Sequence, residues 1–358
     1  MRFSLSLLNP ASTLPRLSRD LPAIHGIYRV FPEDFIVNEE ATYLPVGSGS
    51  HLFLLVEKRG LTTPIAIEKL ANALGVRARD AGFAGMKDRH AITTQWLSFE
   101  GADREQALAL ELPGIRVIEA AYHERKLKTG HLRGNRFEIR VREVRSEDRP
   151  LIEEILERIR REGLPNYFGA QRFGRGDNVA HARAFLRGEV RPPSKPYQRR
   201  LLVSALQSEL FNTYLAERVL EGRLGIIEAG ELVKKIDTGG IFTAEDVEEV
   251  QARADRFEVH PTGPIFGPKM SWPEGAPRER EEQVLRGLDL EEEALERMGK
   301  LGAGTRRVVR ILPKDLEAEF SDDVLTLRFR LPKGAYATNL LEEIFKEGIA
   351  EQKNPARE

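Results

Sequence analysis

Apolar residues recur at two spacings along this chain, and each change of spacing marks the start of a new element. Residues 51–57 (HLFLLVE) form a nearly continuous apolar run of strand length, which predicts a buried strand. Residues 26–40 (GIYRVFPEDFIVNEE) read as two short strands around the turn Pro32-Glu33-Asp34. After the buried strand comes a helix, with Thr62 and Thr63 as capping residues, Pro64 at its first position and Gly75 closing it. Ile67, Leu70, Ala71 and Leu74 share one face of that helix. Residues 95–99 read as another strand. Residues 136–142 (RFEIRVR) alternate strictly, which puts Phe137, Ile139 and Val141 on the buried face of a half-buried strand. Helical spacing returns over 151–162, with Ile152, Ile155, Leu156 and Ile159 inward. Strands alternating with helices predict an α/β or α+β architecture.

The pattern breaks at residues 164–176 (LPNYFGAQRFGRG), where proline, aromatics and glycines follow one another closely. A helix-rich stretch over 204–222 comes next, then irregular sequence dense in Gly and Pro. Strand character returns near 306–311 and 324–331, and a last helix begins at about Thr338. The expected organisation is a discontinuous domain, 1–163 with 309–358, around an insertion at 164–308.

Composition narrows the chemistry. The 358 residues are 41% apolar, enough for two cores, and the net charge is −1. That balance neither requires nor excludes a nucleic acid partner, which needs a local basic face. Such a face is suggested by residues 122–136 (YHERKLKTGHLRGNR), where five Lys/Arg stand against one Glu; the acidic stretch 274–296 reads as a solvated helix face. Arg125, Lys126, Lys128 and Arg133 are therefore the candidate RNA contacts. With no cysteine and seven scattered histidines, disulfides, thiolate nucleophiles and a structural metal are not expected. The lack of a long apolar segment predicts no membrane span and a cytoplasmic protein, and the lack of a zipper or repeat suggests a monomer.

The densest concentration of candidate chemistry is residues 82–99 (GFAGMKDRHAITTQWLSF). Asp88 sits between Lys87 and Arg89, a glycine turn precedes it, and Thr93, Thr94 and Gln95 follow. Taken alone this is a catalytic or phosphate-contacting loop, or a surface turn whose carboxylate pairs locally. Lys87 and Arg89 suit phosphate contacts or structural pairs.

The order of these residues is more specific than their types. AGMKDRHAITTQ resembles the signature of the TruD-type tRNA pseudouridine synthases. EDFIVNE (33–39), GNRFEI (134–139), PNYFGAQRFG (165–174) and LPKGAYATNLLEEI (331–344) are similar to further family motifs, in the family's order. The resemblance implies an α+β fold: a catalytic domain around a mixed, mainly antiparallel sheet, with an inserted family-specific α/β domain. It implies conversion of uridine to pseudouridine in tRNA, usually at uridine 13, with no cofactor or metal. Asp88 would then be the catalytic carboxylate, acting as nucleophile or as base. Phe137 would stack on the target uracil, Asn135 would meet the uracil edge, and Arg29 would stand against Asp88. The aromatics of 165–174, and Tyr336, read as packing or base contacts without a catalytic role. A rival reading, an RNA-binding protein without turnover, would be expected to lack Asp88 or Phe137.

Overall fold

A computed structural model describes residues 14–174 and 177–352. In chain order the first elements are β1 (Gly26–Tyr28), β2 (Phe35–Ala41), β3 (His51–Arg59), α1 (Thr63–Ala73), β4 (Gly82–Phe83), β5 (Ile92–Glu100), α2 (Arg104–Leu108), β6 (Ile115–His123), β7 (Leu132–Arg142) and α3 (Arg149–Glu162). Next come β8 (Leu164–Pro165), α4 (Asn178–Arg187), α5 (Pro196–Leu220), β9 (Leu232–Lys235), β10 (Ile241–Thr243), α6 (Val247–Asp255), β11 (Val259–Ile265), α7 (Gly275–Gly287), α8 (Glu292–Glu296), β12 (Thr305–Val308) and β13 (Arg310–Ile311). The chain closes with β14 (Lys314–Ser321), β15 (Val324–Pro332), α9 (Ala337–Phe345) and β16 (Ile349–Glu351).

Two compact units emerge. One contains Ala23–Ile152, Pro313–Gly334 and the described residues from Phe345 onward. Its sheet runs β14-β15-β7-β2-β5-β3-β6, with β1, β4 and β16 joining off this path. Only β2–β5 and β1–β16 are parallel among the described pairings, so the sheet is mixed and mainly antiparallel, and the fold is α+β. Its α1 starts as the sequence predicts: Thr62 caps it, its hydroxyl accepting from the Ile65 amide at 3.4 Å. Leu52, Leu54 and Val56 of β3 pack with Ile67 and Leu70 of α1 and with Leu97 and Phe99 of β5.

Three details depart from the pattern reading. The strands flanking Pro32–Asp34 do not pair with each other; β1 pairs with β7 and β16. Arg29 takes φ +61° and turns the chain, while buried Asp34 is gripped from β7 by Arg142 at 2.7 and 3.0 Å. The expected strand 136–142 begins four residues earlier, at Leu132. The three-residue β16 is too short for any alternation to announce it.

The other unit contains the described residues up to Pro22, with Glu153–Leu312 and Ala335–Ile344. The expected insertion 164–308 falls wholly within it. The long helix α5 is its spine, burying Leu206, Leu210, Phe211, Tyr214 and Leu215. A sheet in the order β10-β9-β11-β12 and buried pairs Arg218–Glu231 and Arg306–Glu281 complete the interior. Tyr167 is buried, with its hydroxyl donating to the Pro15 carbonyl, and Phe168 packs against Tyr336 and the Arg307 guanidinium. These aromatics of the 165–174 motif are packing residues here.

Candidate active site

Register places the chemistry-bearing residues on one face of the first unit's sheet. Side chains directly across paired strands point the same way, with about 4.8 Å between neighbouring strands. Lys58 of β3 pairs with Thr93 of β5, Thr93 with Val37 of β2, Val37 with Phe137 of β7, and Phe137 with Phe329 of β15. One row along, Gln95 lies opposite Val56, and Glu39 opposite Asn135. Period-2 alternation therefore brings Lys58, Thr93, Gln95, Glu39, Asn135 and Phe137 to a single surface.

Asp88 hangs over this face in the turn between β4 and β5, and four buried anchors hold that turn. The Lys87 amide donates to the Thr63 hydroxyl at 2.9 Å, which itself donates to Gln95 Oε1 at 2.8 Å. Gln95 Nε2 donates to the Gly85 carbonyl at 3.2 Å. The Lys87 ammonium pairs with Glu39 at 2.5 Å, both side chains being buried. Lys58 Nζ donates to the carbonyls of Asp88, at 2.8 Å, and Leu61, at 2.6 Å. Every one of these contacts fixes backbone or a neighbour and leaves the Asp88 carboxylate free of the brace.

That carboxylate is 41% exposed and meets Arg29, whose Nη2 donates to Oδ2 at 2.8 Å. Arg29 is itself buried. Its Nη1 reaches Glu351 at 2.6 Å, and its guanidinium lies 4.2 Å above the centre of the Phe35 ring. Phe35 meets Phe137 edge-on at 6.3 Å, and Phe137 stacks on Phe329 at 5.2 Å. Asp88, Arg29, Phe35 and Phe137 thus form one chain of contacts. Phe137 is only 7% exposed, a buried ring between two others. Asn135 neighbours it on the same face, and its Oδ1 has no hydrogen-bond partner. The buried Thr93 hydroxyl and Arg29 Nε are also unpartnered. An unmatched buried polar atom costs about 1–3 kcal/mol, and two of these, on Asn135 and Thr93, lie on the same face.

Lys58 and Glu39 were not singled out from the sequence, although the signal was there. Strand geometry extended one residue past 51–57 puts Lys58 on the face of Leu54 and Val56, and Glu39 on that of Phe35 and Val37. Burial costs the Lys58 ammonium its hydration and pushes its pKa down to about 8, against the opposing pull of Asp88.

The basic run lies in the segment joining β6 to β7. Leu127 anchors it, its amide donating to the Ser98 hydroxyl at 3.0 Å. Gly130 donates to the Ala84 carbonyl at 2.8 Å, so the segment lies against the chain that leads into Asp88. Only glycine fits at position 82, where a Cβ would lie 2.3 Å from the Leu127 carbonyl oxygen. Arg125, Lys128 and Arg133 are exposed and Lys126 is half-buried; none of the four forms an ion pair among the described residues. Among those residues, too, no helix is long and apolar enough to cross a membrane.

A family model described as tRNA pseudouridine synthase D (TruD) matches residues 15–197 and 192–344. The tRNA pseudouridine synthase D of Anaeromyxobacter dehalogenans is 45% identical over 339 residues, covering 93% of this chain and 96% of that protein. The protein of the same name from a strain of Thermus thermophilus is 40% identical over 334 residues, with 93% and 92% covered. A crystal structure from Methanosarcina mazei assigned to tRNA pseudouridine synthase D superposes with a TM-score of 0.77 at 24% identity, over 91% of this chain and 95% of that one.

Proposed function

The chain belongs to the tRNA pseudouridine synthase D family of isomerases, and on that premise we propose that it converts uridine 13 of tRNA to pseudouridine through Asp88, without a cofactor. The observation that carries this reading is the pairing of a braced turn with a half-exposed carboxylate: the backbone of Lys87 and Asp88 is anchored, while the Asp88 carboxylate meets Arg29 through one oxygen and is 41% exposed. Preorganised geometry of this kind is what an enzyme needs to replace solvent reorganisation.

The reaction breaks the bond from ribose C1′ to N1, turns the uracil and joins C1′ to C5; C5 gives up its proton and N1 gains one, so the product is an isomer. Asp88 would serve either by attacking C1′ or by taking the 2′ proton of the ribose. Arg29 occupies one carboxylate oxygen and aims the other outward. The released base needs partners while it turns, and we assign these to Asn135 Oδ1, Thr93 Oγ1 and the ring of Phe137. The first two are unpartnered, so a uracil edge would satisfy them at little cost. Because Phe137 is covered by Phe329, stacking on it requires the base to displace or join that ring pair. The target nucleotide must leave its helical stack to arrive there.

We assign catalysis to the discontinuous domain 1–163 with 309–358, which carries Asp88, and read 164–308 as the family-specific insertion. Arg125, Lys126, Lys128 and Arg133 are the proposed phosphate contacts, and the reaction is placed in the cytoplasm, carried out by a monomer. The test is incubation of the purified protein with unmodified tRNA, followed by carbodiimide and primer-extension mapping. A stop at position 13 with wild-type protein, absent with Asp88→Asn while tRNA still binds within about tenfold, is the expected result. Pseudouridine formation by the Asn variant would remove Asp88 from the mechanism.

A further inference from the structure

We propose that Lys58 is a positioning residue for Asp88: through the Asp88 carbonyl its ammonium fixes the reactive turn, and its loss of a proton loosens that turn. The inference rests on the proposed role of Asp88 and adds a residue that shares the face of Thr93 and Phe137 but appears in none of the motifs. A lysine that is 1% exposed normally finds a carboxylate. Lys58 instead spends its charge on two backbone carbonyls, that of Leu61 just before α1 and that of Asp88 in the turn. Charge-assisted bonds of this kind are about twice as strong as neutral ones.

The charged groups that act on it are Asp88 and Lys87, the first favouring the ammonium and the second opposing it. Its chain neighbours point to the opposite face, where Glu57 pairs with Arg116 and Arg59 with Glu33. On β6 its cross-strand neighbour is Ile115 and on β5 it is Thr93, neither of which titrates. With burial holding the ammonium near 8, the turn should be mostly braced at neutral pH and loosen as the pH rises through about 8.

The test compares Lys58→Met and Lys58→Arg with wild type. Lys58→Met keeps the side-chain volume and should lower kcat at least tenfold at pH 7, with tRNA affinity within about twofold. Lys58→Arg keeps a charge that does not titrate in this range. It should restore part of kcat and move the alkaline limb of kcat, near pH 8 in wild type, upward by more than one pH unit. A separate readout needs no turnover: hydrogen exchange at the amides of residues 85–90 should quicken in Lys58→Met and stay unchanged in Asp88→Asn. Quickened exchange in a protein that makes no pseudouridine would keep Lys58 as the brace and discard the enzymatic reading instead. Unchanged exchange in Lys58→Met, or a wild-type alkaline limb in Lys58→Arg, would overturn the inference; the arginine variant decides should the methionine one fail to fold.

Discussion

Arg29 keeps its backbone at φ +61°, a conformation that costs a branched or bulky residue about 1 kcal/mol or more. The cost is tolerated because the guanidinium then meets Asp88, Glu351 and the Phe35 ring together. Phe137 poses the opposite question, since its place in the core is unstrained and its proposed role is to touch a base. Phe137→Leu separates the two. Leucine fills much of the same volume, so melting should fall by only a few degrees, whereas losing a stacking partner worth about 1–3 kcal/mol should lower kcat/KM about tenfold or more. Measured side by side by calorimetry and by tRNA turnover, activity that tracks only the folded fraction would leave Phe137 a core residue and nothing else. Phe137 also marks a limit of the sequence: alternation with Ile139 and Val141 foretells its burial, but no periodicity distinguishes a ring packed on Phe329 from one kept for a substrate.

At the scale of elements, the legible features were those whose signal repeats. The run 51–57, the capped helix after it and the alternation of 136–142 reappear as β3, α1 and β7 with shifted ends. What stayed hidden depended on partners far along the chain. The three residues of β16 are a strand only because β1 offers an edge to pair with, and Arg29 becomes a buried ligand of Asp88 only where that pairing brings up Glu351. The turn between β1 and β2 has a similar long-range clamp, for Asp34 is fully buried and bound by Arg142 of β7 as well as by the Phe31 amide at 2.9 Å. Asp34→Ala would strand Arg142 and leave that amide unpaired. Because Arg142 is about one-third exposed, the loss should be about 2 kcal/mol, below that for a fully buried pair. Urea unfolding followed by fluorescence measures it, and an unchanged midpoint would show that β7 and β1 hold the turn unaided.

Charge over the molecule as a whole is almost cancelled, with 55 Lys and Arg against 56 Asp and Glu. Cancellation in number is largely cancellation in space, since many arginines sit in ion pairs such as Arg158 with Asp20 and Glu154, or Arg328 with Glu138 and Glu319. A polyanion is attracted to whatever cations are left over, and the segment between β6 and β7 supplies some beside the Asp88 turn. Phosphate neutralisation by such cations releases condensed counterions, so each contact should contribute up to about 0.9 to the slope of log K against log salt. Replacing Arg125, Lys126 and Lys128 together by Ala should therefore weaken tRNA binding about tenfold or more at low salt and flatten that slope by up to about 3. Turnover at saturating tRNA should change little, because the segment holds Gly130 and Leu127 in place through their own backbone bonds, to Ala84 and Ser98, and handles no proton of the reaction. Filter binding across a salt series gives the slope directly. A slope equal to that of the wild type would assign these residues to a solvated surface and require the tRNA to be gripped by cations elsewhere on the chain.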